Sequence, residues 1–259
     1  MNFMNFLDWT HLLLEMMWNG FESTKGHGVK RIANDIINLF YPNVCSICHD
    51  GLSLYEEVLC TSCLYHIPRT RFWNWPDNPV SQIFWGRVNV EQASSFFYFR
   101  KGSRYRKLLH MLKYQGRDDI GFYLGKQFGL ELKNSELYKS LTAIVPVPLH
   151  PKRLKERGYN QAEVIAKGLS QAMGIPVVAD VLRRNVYTQT QTKKSRMERM
   201  QNIAGAFTIS NPEKITNGHV LLVDDVITTG ATLETCAQTL LDSANVKVSV
   251  GTLAFATNV

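Results

Sequence analysis

From Leu141 onward the chain alternates between two hydrophobic patterns. The short apolar runs Ala143-Ile-Val-Pro-Val147 and His219 to Val223 read as buried strands, and Val246 to Phe255 as a final strand. Between them, Asn160 to Met173 and Thr232 to Leu241 carry apolar residues every three or four positions and read as helices, the first stopped by Gly174. Continuous apolar strands joined by helices predict an α/β fold, a parallel sheet with helices on both faces. Upstream, Ser94 to Phe99 reads as a strand followed by a turn at Lys101-Gly102. Arg104 to Tyr114, with Leu108, Leu109 and Leu112 at helical spacing, and Ile120 to Leu132 read as two more helices. Residues 71–92, with Phe72, Trp73, Trp75, Pro76, Pro79, Phe84 and Trp85, read as an irregular linker pinned by aromatic packing.

The pattern divides the chain into three parts. Residues 1–38 are a helical extension, with Phe6, Leu7, Leu13, Leu14, Met17 and Trp18 at roughly helical spacing and a second stretch at Ile32 to Leu39. This part reads either as an amphipathic docking helix or as a segment upstream of the true start. Residues 39–70 hold four cysteines in a small module, and residues 71–259 form the α/β domain.

Composition narrows the class. At 259 residues, 45% hydrophobic and 20% charged, the chain suits one α/β domain with a smaller appendage. No uncharged apolar run reaches the ~18 residues of a membrane span. The opening Met1-Asn-Phe-Met-Asn-Phe-Leu lacks a basic region and a small-residue cleavage site, so no signal peptide and a cytoplasmic location are expected. The formal net charge is +7, and the basic residues cluster. Lys152, Arg153, Lys155 and Arg157 form one group; Arg183, Arg184, Lys193, Lys194, Arg196 and Arg199 form another. Such clusters suit a phosphate-rich partner: a nucleotide, a diphosphate or a nucleic acid.

Cys45-Ser-Ile-Cys48 and Cys60-Thr-Ser-Cys63 are two Cys-x-x-Cys knuckles with eleven residues between them. Four thiolates at this spacing can surround one structural Zn²⁺, and a segment with so few core residues would need the metal to fold. Redox pairs and an Fe–S cluster are the alternatives. His49 and His66 are expected to be bystanders, and Cys236 a buried small residue.

The segment Val220-Leu-Leu-Val-Asp-Asp-Val-Ile-Thr-Thr-Gly-Ala-Thr232 meets the demands of a ribose 5-phosphate in order. The strand delivers Asp224 and Asp225, whose carboxylates accept hydrogen bonds from the ribose hydroxyls. The turn Val226, Ile227, Thr228, Thr229, Gly230, Ala231 and Thr232 offers backbone N–H groups and hydroxyls to the phosphate at a helix N-terminus. The plainer reading is a strand–turn–helix in which the acids merely cap the helix. Two acids followed by Thr-Thr-Gly-x-Thr are more specific than that, and resemble the 5-phosphoribosyl 1-diphosphate motif of type I phosphoribosyltransferases.

A second segment, Pro146-Val-Pro-Leu-His-Pro-Lys-Arg-Leu-Lys-Glu-Arg-Gly-Tyr-Asn-Gln161, places Arg and Lys in a loop that can grip a diphosphate. Together with the Asp-Asp motif it resembles the ComF family, which includes competence proteins related to ComFC. Leu182-Arg183-Arg184, Thr188, Gln191, Arg199, Asn202, Gly205-Ala-Phe207 and Lys113-Tyr114-x-Gly116 extend the match to roughly residues 38–258. Lys194, where the family has an apolar residue, and the N-terminal extension depart from it. The resemblance implies Arg153, Arg157 and Gly158 in a diphosphate loop, and Thr188, Gln191 and Arg199 in or beside a flexible loop that closes over the substrate. It implies Mg²⁺ with phosphoribosyl diphosphate, and a part in natural transformation, with single-stranded DNA and competence helicase-type proteins as partners. His150 is expected to fold its loop rather than donate a proton. Two functions remain open: transfer of a phosphoribosyl group to an acceptor the sequence does not name, or a binding protein that handles incoming DNA and uses the site for recognition only. The aromatic residues 72–85 could stack bases of that DNA, although core packing is the commoner use.

Overall fold

A computed structural model describes residues 43–100, 102–185 and 206–256. The elements, in chain order, are helix Thr61–Tyr65 (α1), helix Pro79–Gln82 (α2), strand Ala93–Phe99 (β1), helix Arg106–Tyr114 (α3), helix Asp118–Lys133 (α4), strand Ala143–Pro146 (β2), helix Pro151–Arg157 (α5), helix Gln161–Met173 (α6), strand Leu182–Arg184 (β3), strand Phe207–Ile209 (β4), strand His219–Ile227 (β5), helix Ala231–Ser243 (α7) and strand Lys247–Ala256 (β6). The two helical stretches expected within residues 1–39 lie outside the described residues.

The apolar runs pair as a parallel sheet in the order β1-β6-β5-β2, with Ala143 opposite Val220 and Leu222 opposite Val250. Alternation along β5 splits the core in two. Val220 and Leu222 join Val248, Val250, Leu233 and Leu240 beneath α7. Leu221 and Val223 join Phe97, Leu124, Ile165 and Leu169 beneath α4 and α6. Both faces are covered, as the unbroken apolar runs required. Cys236 is fully buried under α7. None of the described helices is long and apolar enough to cross a membrane.

Helices α4 and α6 meet backbone to backbone. A Cβ on Gly168 would lie 2.1 Å from the Phe122 carbonyl oxygen, and one on Gly125 would lie 2.3 Å from that of Ile165. A methyl group there has no rotamer escape. Gly168→Ala is therefore expected to destabilise the fold by about 2 kcal/mol or more, read as a lower urea midpoint.

The cysteine module shares this core. Cys45, Ile47, Val58, Leu59, Cys63 and Ile67 pack in one cluster with Trp73, Phe96, Phe97 and Leu108. The Tyr105 hydroxyl donates to the Cys63 carbonyl at 2.9 Å, and Arg117 Nη2 to Ser46 Oγ at 3.3 Å. The stretch read as a linker is partly regular: a 3₁₀ turn at Phe72–Asn74 precedes α2, and Phe72, Trp73 and Phe84 are buried. Three further elements were not legible in advance: α1, α5 and the β3–β4 antiparallel ribbon.

Candidate functional site

Strand β5 does not end at Asp224, as the apolar run suggested, but continues to Ile227. The reason is its neighbour. Ten-residue β6 keeps the ladder going, with Asp224 opposite Thr252 and Ile227 opposite Phe255. The acid pair thus sits on a rigid strand. Asp225 N–H donates to Asp224 Oδ1 at 2.8 Å, and Asp225 Oδ2 pairs with Lys113 Nζ at 2.9 Å.

Beyond Ile227 the chain bends at Thr228 and Thr229 and enters α7 through Gly230, whose φ of 75° is left-handed. A Cβ at Gly230 would also lie 2.6 Å from Ile83 Cγ2, so the residue must be glycine on both counts. No side chain caps the N-terminus of α7, and Thr228 is exposed beside it. The first N–H groups of the helix and the positive end of its dipole suit an anion. Arg87 braces this turn from 142 residues away: Nη1 donates to the Thr229 carbonyl at 3.0 Å and to that of Ile83 at 2.9 Å, while Nη2 pairs with Glu234 on α7.

The basic segment after β2 is not an open loop. His150 Nδ1 accepts from Lys152 N–H at 3.2 Å and starts α5, so His150 folds this segment, as expected. Helix α5 ends at Gly158, and Asn160 then caps α6 and donates to the Val147 carbonyl at 3.1 Å. Three contacts at the end of α3 tie this segment to the acid pair. Tyr159 donates to the Leu112 carbonyl, Arg157 lies 5.8 Å from the Tyr114 ring centroid, and Lys113 holds Asp225. On the other side Arg184 lies over the Phe207 ring at 5.3 Å. Its pKa is lowered by burial first and then by the charge of Arg153, while Asp224 acts the other way.

The fold therefore brings Asp224, Asp225 and residues 226–232 together; Arg157 meets Tyr114, next to Lys113 on α3, and Gly158 ends α5. Arg153 lies on α5 toward Arg184. Thr188, Gln191 and Arg199 lie outside the described residues. Sequence reasoning assigned no role to Lys113 or Arg87. Lys113 stood in the noted Lys113-Tyr114-x-Gly116 segment, but nothing local announces its partner. Arg87 lay in the supposed linker and had no signal.

Burial, and next the charge of Asp225, push the Asp224 carboxyl up to about 7, while Lys113 and Arg184 pull it down. A carboxyl with a raised native pKa binds its proton more tightly folded than unfolded, so its contribution to stability falls as pH rises from about 4 to about 7. Acceptance of two hydroxyl protons requires the ionised form, so ligand affinity should climb through the same window. Lys113→Met removes a charge that favours ionisation. The expected result is an affinity-versus-pH midpoint moved upward, read by titrating a ribose phosphate at several pH values. An unmoved midpoint would show that Lys113 does not bear on the pair.

The four knuckle cysteines form a second centre. Their sulfur atoms all lie within 4.8 Å of one another, and Cys48 Sγ is 3.6 Å from Cys60 Sγ. Thiolates ~2.3 Å from a tetrahedral Zn²⁺ would be about 3.8 Å apart, so this donor set fits that ion. Cys63 N–H donates to Cys60 Sγ at 3.4 Å, the kind of contact that orients a ligand sulfur. Neither histidine joins the cluster, and His66 Nδ1 contacts the Ser62 carbonyl at 2.7 Å.

A parallel sheet with paired acids and a Thr-rich turn at a helix N-terminus defines a phosphoribosyltransferase-type domain, and residues 159–258 match the phosphoribosyl transferase domain family. The chain is a homologue of competence proteins and of a DNA utilization protein. It is 34% identical over 137 residues to competence protein F of Haemophilus influenzae, covering 51% of this chain and 60% of that protein. It is 32% identical over 146 residues to the DNA utilization protein YhgH of Escherichia coli, covering 55% and 63%. Over 99 residues it is 34% identical to competence protein ComFC of Bacillus subtilis, covering 38% of each. The matched stretches thus span less than two thirds of these relatives. Among solved structures, adenine phosphoribosyltransferase from Leishmania tarentolae is similar with a TM-score of 0.35 and 14% identity, covering 68% of this chain and 88% of that one.

Proposed function

We propose that the chain binds 5-phosphoribosyl 1-diphosphate with Mg²⁺ at the β5–α7 turn, and can pass the phosphoribosyl group to an acceptor during the handling of incoming DNA. The observation that carries this reading is the acid pair held on a rigid strand directly before an uncapped helix N-terminus. Asp224 and Asp225 would accept the two ribose hydroxyls, and the N–H and hydroxyl groups of residues 228–232 would take the 5-phosphate. Arg153 and Arg157 would balance the diphosphate.

Such a transfer displaces diphosphate from the sugar C1, with positive charge growing on the ribose and negative charge on the leaving group. Bound Mg²⁺ would add charge neutralisation at the diphosphate oxygens, and hard oxygen ligands suit that ion. The protein's share is to fix the ribose through the acids and to hold the leaving group with guanidinium charge. Support for a role in DNA handling comes from the similarity to competence protein F and the DNA utilization protein YhgH. The test is incubation with phosphoribosyl diphosphate, Mg²⁺ and a panel of bases and amines, with diphosphate release as readout. Release dependent on one acceptor is the expected result for a transferase. Binding without release on any acceptor would leave the chain a recognition protein.

A further inference from the structure

A cleft of about 700 Å³ lies between the segment 76–92 and α7, with neither acid of the pair in its lining. Asn78, beside that lining, ties the segment down. Asn78, 1% exposed, accepts from the N–H groups of Val80 and Ser81 and donates to the carbonyls of Trp75 and Ala93, each at 2.8–3.1 Å. Buried Phe84 lines the interior, yet Trp85, also lining it, is 60% exposed. An indole left in water on a rigid wall is a stacking surface in want of a partner. Three side-chain amides also line the cleft, Asn89, Gln92 and Gln238; an amide can both donate and accept, and Gln238 already donates to Asp242 Oδ1 at 2.7 Å.

The charges decide the ligand class. Arg87 is the one basic residue among the described residues that line the cleft, and it is paired with Glu234; Asp77 contributes a carboxylate, and that of Glu91 pairs with Lys247 at 3.7 Å. A phosphate-rich strand would find no uncommitted positive charge among these lining residues, and nucleic-acid binding draws on such charge. A flat ring with mixed donors and acceptors and no negative charge needs none. The volume lies within the range of about 300–1,000 Å³ usual for small-molecule sites.

We propose that this cleft is a second ligand site, for a neutral or cationic nitrogen heterocycle of nucleobase size, coupled to the phosphate turn through Arg87. The coupling clause rests on the phosphoribosyl reading above; the binding clause does not. Arg87 lines the cleft and also holds the Thr229 carbonyl and Glu234, so a ring that shifts its guanidinium shifts the turn.

Free adenine and cytosine are the probes, with adenosine 5′-monophosphate and an oligodeoxythymidine as anionic controls, all titrated into the full chain by calorimetry. A free base should bind saturably, and Trp85→Leu or Gln238→Ala should each weaken it about tenfold. The anionic controls should bind this cleft more weakly than the base. Asp225→Ala should leave base binding in place, which separates this site from the phosphate turn. In the unsubstituted protein the bound base should change the affinity for phosphoribosyl diphosphate about fivefold, and Arg87→Gln should erase that change. The site is refuted if no base binds at millimolar concentration, if Trp85→Leu and Gln238→Ala leave binding unaltered, or if Asp225→Ala abolishes it while circular dichroism shows that variant folded. Tighter binding of the oligonucleotide through Trp85 would replace it with a nucleic-acid surface. Base binding that never alters the diphosphate affinity would overturn the coupling alone.

Discussion

Replacing Cys60 by serine is expected to strip one zinc ion per chain and to unfold far more than the knuckle that carries it. A structural zinc site contributes on the order of 10 kcal/mol to the folding of the segment around it. Whole domains are stable by only about 5–15 kcal/mol. Cys45 and Cys63 are buried in the same cluster as Phe96, Phe97, Leu108 and Phe128, so the loss propagates into β1, α3 and α4. Metal analysis should give one zinc in the parent protein and less than one in Cys60→Ser. Hydrogen exchange should show lost protection in α3 and α4 as well as in residues 43–67. Loss of α3 also removes Lys113 from Asp225, so the variant should bind ribose phosphates poorly although its phosphate turn is untouched. An iron-bearing protein, or a metal-free one of unchanged stability, would refute the zinc assignment.

The second large effect belongs to the acid pair. Asp225→Ala is expected to weaken phosphoribosyl diphosphate binding about ten- to a hundredfold, since a charge-assisted hydrogen bond is worth about 1.5–3 kcal/mol. The substitution also strands the Lys113 ammonium, which is 24% exposed. A stability loss is therefore expected alongside the affinity loss. The double variant Asp225→Ala with Lys113→Met should recover stability without recovering affinity, because it removes the stranded charge and restores no acceptor. If affinity returned with stability, the acids would be structural and the ribose assignment wrong.

Much of this was legible in the residues because the chemistry is local in sequence. The strand, the two acids and the Thr-rich turn occupy one stretch, and the apolar runs of β2 and β5, alternating with helical patterns, declare a two-sided parallel sheet. The cysteine knuckles announce themselves by spacing. What could not be read is what long-range pairing decides. The end of β5 was placed too early because its own polarity changes at Asp224, whereas the ladder is set by β6. Arg87 braces Thr229 and Lys113 holds Asp225 across separations no local pattern encodes. Helix α5 buries none of its residues, so it left no apolar period to find. The 71–92 stretch looked irregular because the buried amide of Asn78 organises it rather than a repeating pattern.

The most direct measurement is a calorimetric titration of phosphoribosyl diphosphate with Mg²⁺ into the parent chain and into Asp225→Asn, which keeps the side-chain shape and removes the charge. The expected result is saturable binding at one site per chain, strengthened as pH rises through about 7 and lost in the asparagine variant. Equal binding by both proteins, or none by the parent, would contradict the assignment of the β5–α7 turn as a ribose-phosphate site.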